Sequence, residues 1–393
     1  MSRITNAHSH VFTGGCAPDY FFKIALPSVL HRWADEIKWF LEKPWMRGIV
    51  KRLARRRGDG ALMRYLQFIE VGTQNTQEEV FLCMKKAYAS LGPDVRFIAL
   101  TLNMDHMDTQ ESRHARIDTQ LAEAERVRLH YPNNFFPFVG VDPRHLQGMV
   151  LRDWVREKFD RGMFFGIKLY PSLGFFPFDP ALDELYRWAA SAGVPVMTHC
   201  TRSGSFYTGS MANVLTSDTP PSLRSNDGAM VDIHKRVKTY RSNEWLMKTN
   251  KYACNVFLHP DNFRPVLNAH PGLKVCFAHF GGDDQMLKEE KHELDKRNID
   301  KDNFHDKVIR MMNDYPSVFT DISYTLYEPK VYAAFKAEIA GPRGPRILFG
   351  TDFFMTLREK PEADLLSQCI TSLGIGAFNQ IAVSNTDRYL FGK

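Results

Sequence analysis

Long apolar runs are missing from this chain: none approaches the roughly 18 residues of a membrane-spanning helix. No basic segment leading into an apolar one stands at the N-terminus, so no secretory leader is read and the expected location is cytoplasmic. Paired cysteines are missing as well. Cys16, Cys83, Cys200, Cys254, Cys276 and Cys369 are scattered without a CxxC, which speaks for reduced thiols and against a disulfide framework or a zinc ribbon. There is no internal repeat and no low-complexity linker. A strong charge imbalance is absent too. The formal net charge is +6 over 393 residues, which admits an anionic substrate without calling for nucleic acid. At 44% hydrophobic and 24% charged, the composition is that of a globular protein with a sizeable core.

What is present is alternation. Strand-like stretches at 3–10, Arg96–Thr101, Phe136–Val141, Phe164–Tyr170, Val194–His199, Lys274–His279, Val318–Ser323 and Arg346–Asp352 are separated by segments of helical character. Such alternation builds a parallel sheet, and eight repeats predict an α/β fold closed as a (β/α)8 TIM barrel. The whole chain, 1–393, is expected to be one barrel domain with two excursions. The first is a helical, basic insertion over 12–74, after strand 1, where Leu30, Trp33, Ile37, Phe40 and Leu41 recur at helical spacing. The second is a long loop insertion over 201–258, after strand 5. Both leave from C-terminal strand ends, where barrel enzymes keep their active sites, so they are read as lids or pocket walls.

Residues able to bind a metal sit at those same strand ends. His8 and His10, two apart on strand 1, point to one side. Lys168 closes strand 4, His199 strand 5, His279 strand 6 and Asp352 strand 8. Singly, each has an ordinary role: a strand-end histidine is a satisfied polar residue, Asp352 caps a helix and Lys168 snorkels. In a closed barrel, however, these ends converge, and residues 344 apart (352 − 8) become neighbours. Imidazole and carboxylate donors suit zinc, and less exclusively iron, manganese or nickel. Such an ion acidifies water and polarises a carbonyl, and Asp352 is a candidate acceptor for the water's proton. Tyr170, Arg202 and His259 are candidates for binding an anionic or carbonyl group of the substrate, with packing the alternative for each.

The ordered segments His8-Ser9-His10, Lys168-Leu169-Tyr170-Pro171, Thr198-His199-Cys200, Ala278-His279-Phe280-Gly281-Gly282 and Phe349-Gly350-Thr351-Asp352 resemble the amidohydrolase superfamily of metal-dependent hydrolases. Within it, the Ala-His-Phe-Gly-Gly and Gly-Thr-Asp segments are similar to the amidohydrolase 2 group, which includes aminocarboxymuconate-semialdehyde decarboxylase. Phe257-Leu258-His259-Pro260, Asn268-Ala269-His270-Pro271 and the closing Asn385–Phe391 resemble that group too. The resemblance covers strand 1 and roughly residues 76–393.

The resemblance implies two mechanisms that part at Lys168. In decarboxylase-like members one ion is held by the residues corresponding to His8, His10, His199 and Asp352, and His279 works as an acid/base or orienting group. In binuclear members a strand-4 lysine, in a segment whose dihydroorotase form Lys168-Leu169-Tyr170-Pro171 resembles, reacts with CO2. The carbamate bridges two ions, and His199 and His279 hold the second. A desolvated site beside cations favours the neutral amine this needs. The alternative is a free ammonium that binds a substrate carboxylate. The leading expectation is a metal-dependent hydrolase, with one or two zinc ions and with Asp352 and His279 in catalysis. It would cleave an amide, lactone, ester or similar carbonyl bond of a small molecule with metal-activated water. The rival is a mononuclear non-oxidative decarboxylase of a small carboxylic acid. The reading from another class is a non-catalytic barrel that binds an acidic partner through its basic insertion.

That insertion carries six Lys or Arg over Arg47–Arg57, flanked by Trp39, Phe40, Trp45, Met46, Tyr65 and Phe68. A membrane-surface helix, a nucleic-acid patch and a docking surface for a partner all fit such a run. The simplest reading is a solvated face of a lid or an oligomer contact. No nucleic-acid partner is therefore expected, and a homo-oligomer stays open.

Overall fold

The computed structural model describes residues 3–16, 18, 60–108, 117–202, 204–215, 223–224, 228, 230–289 and 292–392. The basic run Arg47–Arg57 and most of the 12–74 insertion lie outside the described residues.

Eight strands form one sheet: β1 (Thr5–Ser9), β2 (Arg96–Leu100), β3 (Phe135–Val141), β4 (Gly166–Leu169), β5 (Val196–Thr198), β6 (Val275–Phe277), β7 (Val318–Asp321) and β8 (Ile347–Leu348). Their spatial order follows the chain, and each neighbouring pair is parallel. The ring closes between β8 and β1 through backbone bonds. Ala7 N–H donates to Phe349 O at 2.8 Å, Asp352 N–H donates to His8 O at 2.8 Å, and His10 N–H donates to Phe353 O. Gly350 permits this seam, because a Cβ there would lie 2.6 Å from the Cβ of His8.

The strands are apolar on both faces, as a covered parallel sheet requires. Ile98 and Leu100 join Ala7, Phe138, Met197 and Phe319 in the lumen of the barrel. Their neighbours Phe97 and Ala99 face the other way, into the layer under the helices. Tyr389, on the closing helix Asn385–Phe391, plugs the lumen and donates its hydroxyl to Val196 O at 2.9 Å. Asn385 seats that helix by donating to Gly344 O and Ile347 O at 2.7 and 2.6 Å.

Two segments shape the C-terminal face. After β5, helices Ile233–Ser242, Glu244–Met247, Asn250–Ala253 and Asn255–Leu258 bury Ile233, Val237, Tyr240 and Phe257 in a second apolar cluster with Tyr207 and Phe176. After β6, the charged stretch that reads as helical over 284–314 is broken into Asp283–Met286, Glu293–Lys296 and Phe304–Asp314. Asn303 starts the last of these by accepting the Asp306 N–H at 3.0 Å. All six cysteines are free. Among the described residues no helix is long and apolar enough to cross a membrane.

Candidate metal centre and its cavity

The end of β1 delivers two imidazoles to one carboxylate. His8 Nε2 and His10 Nε2 lie 3.5 and 3.2 Å from Asp352 Oδ1. His10 Nδ1 is 3.0 Å from Leu100 O. A carbonyl only accepts, so Nδ1 carries the hydrogen and the Nε2 lone pair faces Asp352. His8 is oriented the same way by Asp321, whose Oδ2 is 2.9 Å from its Nδ1. The donor atoms of His8, His10 and Asp352 all lie within 4.8 Å of one another. His8 Nε2 and Asp352 Oδ1 are buried yet make no hydrogen bond. Orphaned polar atoms converging in this way are what a divalent ion satisfies. Burial, followed by the nearby Lys168 charge, holds the His8 pKa well below the usual histidine value, which keeps the ring in its ligand form.

A second pair of histidines stands beside the first group. His279 leaves β6 with a left-handed backbone, φ 65°, followed by Gly281 at φ 86°. A Cβ on Gly281 would also meet the His305 backbone nitrogen at 2.5 Å. His279 Nδ1 is 3.2 Å from Ser323 O, so it too carries its hydrogen on Nδ1 and presents an Nε2 lone pair. That lone pair faces His199 Nδ1 at 3.1 Å. Burial holds the His279 pKa well below the usual value. Tyr170 stacks on His199 with centroids 4.3 Å apart and planes at 20°.

Lys168 is 1% exposed, and its Nζ makes no hydrogen bond. Burial brings its pKa down to about 8, against the opposing pull of Asp321 and Asp352. Its charge contributes to lowering the pKa of both His8 and His279.

Asp321 and Ser323 were not singled out by the sequence reading. Asp321 accepts five hydrogen bonds: from His8, from His279 N–H and Ser323 N–H at 3.0 Å each, from the Ser323 hydroxyl, and a weak one from the Cys276 thiol at 4.0 Å. Ser323 Oγ lies 3.0 Å from His8 Nδ1 and 2.9 Å from His279 Nδ1. The signal was available, since Asp321 ends β7 just as the other candidates end their strands.

A cavity of about 350 Å³ opens over the centre. His10, His199, His279 and Asp352 form part of its lining, and Phe12, Phe206, Leu258 and Met355 form apolar wall. Tyr170 and Arg202 also line it. Arg202 is heavily committed. Its guanidinium meets Asp295 at 2.7 Å and Asp300 at 3.4 Å, and donates to Asp302 O at 2.6 Å, which straps residues 295–302 to the end of β5. His259 is not among the lining residues. It is buried, with Nε2 3.0 Å from Asp302 Oδ2 and Nδ1 accepting the Asp261 N–H at 3.2 Å. The donor atoms of His259, Asp261 and Asp302 also cluster, but Lys307 Nζ already supplies a cation, 3.1 and 3.2 Å from the two carboxylates.

A parallel barrel that gathers buried histidine and carboxylate donors on its C-terminal rim defines a metal-dependent barrel enzyme. The family model described as "Amidohydrolase" matches residues 99–386, and the chain belongs to the amidohydrolase family. No curated protein matches it. Among solved structures it is similar to 5-carboxyvanillate decarboxylase from Novosphingobium aromaticivorans, complexed with manganese and 4-hydroxy-3-methoxy-5-nitrobenzoic acid. That match has 12% identity and a TM-score of 0.53, and covers 99% of this chain and 96% of that one. Dihydroxybenzoic acid decarboxylase from Polaromonas sp. JS666, with manganese and 2-nitroresorcinol, matches at 13% identity and TM-score 0.50, over 99% and 97% of the two chains. A probable 2-pyrone-4,6-dicarboxylic acid hydrolase from Acinetobacter baumannii, with citric acid bound, matches at 10% identity and TM-score 0.49, over 100% of both. At such identities the likeness is one of fold. Family and donor set together make a divalent ion the cofactor.

Proposed function

We propose that the protein is a binuclear metal-dependent hydrolase acting on a carbonyl bond of a small molecule, with Lys168 carboxylated at Nζ. The observation that supports this is the Lys168 amine, buried and without a hydrogen bond, on β4 of the barrel whose rim carries the histidines and Asp352. A pKa of about 8 leaves roughly a tenth of the amine neutral at pH 7. The neutral amine adds to CO2: an N–C bond forms, one proton leaves, and the carbamate gains two acceptor oxygens. One would join His8, His10 and Asp352, the other His199 and His279. The donor set suits zinc, and manganese is the ion in two of the structural neighbours.

The chemistry the ions supply when bound is polarisation of the substrate carbonyl and acidification of water. The chain's own residues do the rest. Asp352 takes the proton of the attacking water at its carboxylate. Asp321 and Ser323 hold His8 and His279 with their hydrogens on Nδ1, so that both Nε2 atoms stay available. Tyr170 fixes the plane of His199, and the apolar wall keeps bulk water from the reacting carbonyl.

A second reading is favoured by the neighbours that act as decarboxylases on aromatic acids. In it His8, His10, His199 and Asp352 hold one ion, Lys168 stays an ammonium, and His279 is the acid. Metal content per chain separates the two. Protein purified without chelators should hold about two ions, and Lys168→Ala one or fewer. One ion in both proteins overturns the binuclear reading and makes CO2 release the activity to assay.

A further inference from the structure

Two arginines line the cavity, in opposite circumstances. Arg202 is buried and neutralised by Asp295 and Asp300. Arg358 stands on the turn Met355–Arg358, six residues beyond Asp352 (358 − 352). It donates from Nε to Met355 O and from Nη2 to the Tyr324 hydroxyl, both at 3.3 Å. It also lies over the Phe68 ring, 5.5 Å from the centroid. Among the described residues no carboxylate pairs with it. The adjacent acid, Glu359, is bound instead to the Tyr324 hydroxyl at 3.0 Å. Among the described residues this half-buried guanidinium has no carboxylate partner, and it stands in a cavity walled largely by apolar groups, where a carboxylate brought against it is bound strongly.

We propose that Arg358 is the specificity-determining residue of this cavity. It binds a carboxylate of the substrate that is separate from the carbonyl reacting at Asp352. The substrate class is thereby narrowed to small carbonyl compounds that also carry a carboxylate. The planar fork of arginine matches that group in two parallel bonds, and the apolar surroundings strengthen them. The inference rests on the reading of the cavity as the substrate site and deepens it. It does not depend on whether one or two ions are bound.

The test uses defined probes on metal-replete protein. Benzoate carries one carboxylate for the centre; phthalate, isophthalate and terephthalate add a second at three ring positions. By calorimetry, at least one dianion should bind wild type about 10- to 100-fold more tightly than benzoate, the range expected for a charge-assisted pair. In Arg358→Ala that advantage should vanish, while benzoate affinity, metal content and unfolding midpoint hold. Arg358→Lys should recover part of it, and Arg358→Gln replaces the alanine variant if that one does not fold. No advantage in wild type, an advantage that survives in Arg358→Ala, or an equal loss of benzoate binding would each overturn the proposal. Ion counts on the same samples keep the two readings apart. One ion per chain with the dianion advantage intact sinks the binuclear hydrolase and leaves Arg358 its role.

Discussion

Replacing Asp321 by asparagine perturbs the centre without touching a ligand. The carboxylate is fully buried and accepts from five donors: His8 Nδ1 at 2.9 Å, two backbone N–H groups at 3.0 Å each, the Ser323 hydroxyl and, weakly, the Cys276 thiol at 4.0 Å. Asparagine keeps one acceptor oxygen and places an NH2 where the other stood. If the amide oxygen stays with the His279 and Ser323 amides, the His8 Nδ1–H faces a donor. One buried donor left unmet costs about 1–3 kcal/mol, so metal-free Asp321→Asn should unfold more easily by that amount. The His8 ring also loses the carboxylate that makes it a stronger base. Loss of such an outer partner typically weakens metal binding about 10- to 100-fold. Competition against a chelator, with zinc or manganese as probe, measures this directly. Affinity within about threefold of wild type would refute the claim that Asp321 orients His8 for an ion, because the effect would fall below the range such partners show.

Two further outcomes follow from buried charge. Burial lowers the Lys168 pKa from 10.5 to about 8, so below pH 8 the folded chain carries a cation that the unfolded chain solvates better. That penalty is up to about 3 kcal/mol, and it fades as pH climbs from 8 towards 10.5, where the unfolded amine also loses its proton. Metal-free, CO2-free Lys168→Met should therefore be more stable than wild type at pH 7, with the gap narrowing towards pH 10; a widening gap would contradict the sign. Arg202→Met strands the carboxylates of Asp295 and Asp300, which are mostly buried. It should cost about 3–5 kcal/mol and speed amide hydrogen exchange across 295–302, and unchanged protection there would refute the strap.

The barrel was legible because its strands are buried on both faces: a stretch such as Phe136–Val141 reads as a nearly unbroken apolar run between amphipathic helices. The ligand candidates were legible because period-2 geometry and strand ends are local properties. Parallel pairing brings the strand ends that carry His8, His10, Lys168, His199, His279 and Asp352 to one rim. Asp321 was passed over because its work is done sideways, on His8 and His279, and that is a tertiary relation. Arg202 and His259 illustrate the same limit. Sequence position shows neither that Arg202, though it lines the cavity, is spent on Asp295 and Asp300, nor that His259 turns to Asp302. The breaks within 284–314 follow from caps and tertiary ties that periodicity does not register.

The seam between β8 and β1 gives the centre one more property. His8 and His10 lie on one side of it and Asp352 on the other, so their donor atoms meet only after the ring has shut. A divalent ion held there acts as a clasp on the whole cylinder, and its affinity includes the free energy of shutting. During synthesis His8 and His10 precede Asp352 by some 340 residues (352 − 10 = 342), so on the proposed reading the three-residue set is complete only when the last strand has emerged and folded. Anything that springs the seam, even far from the rim, will register as lost metal.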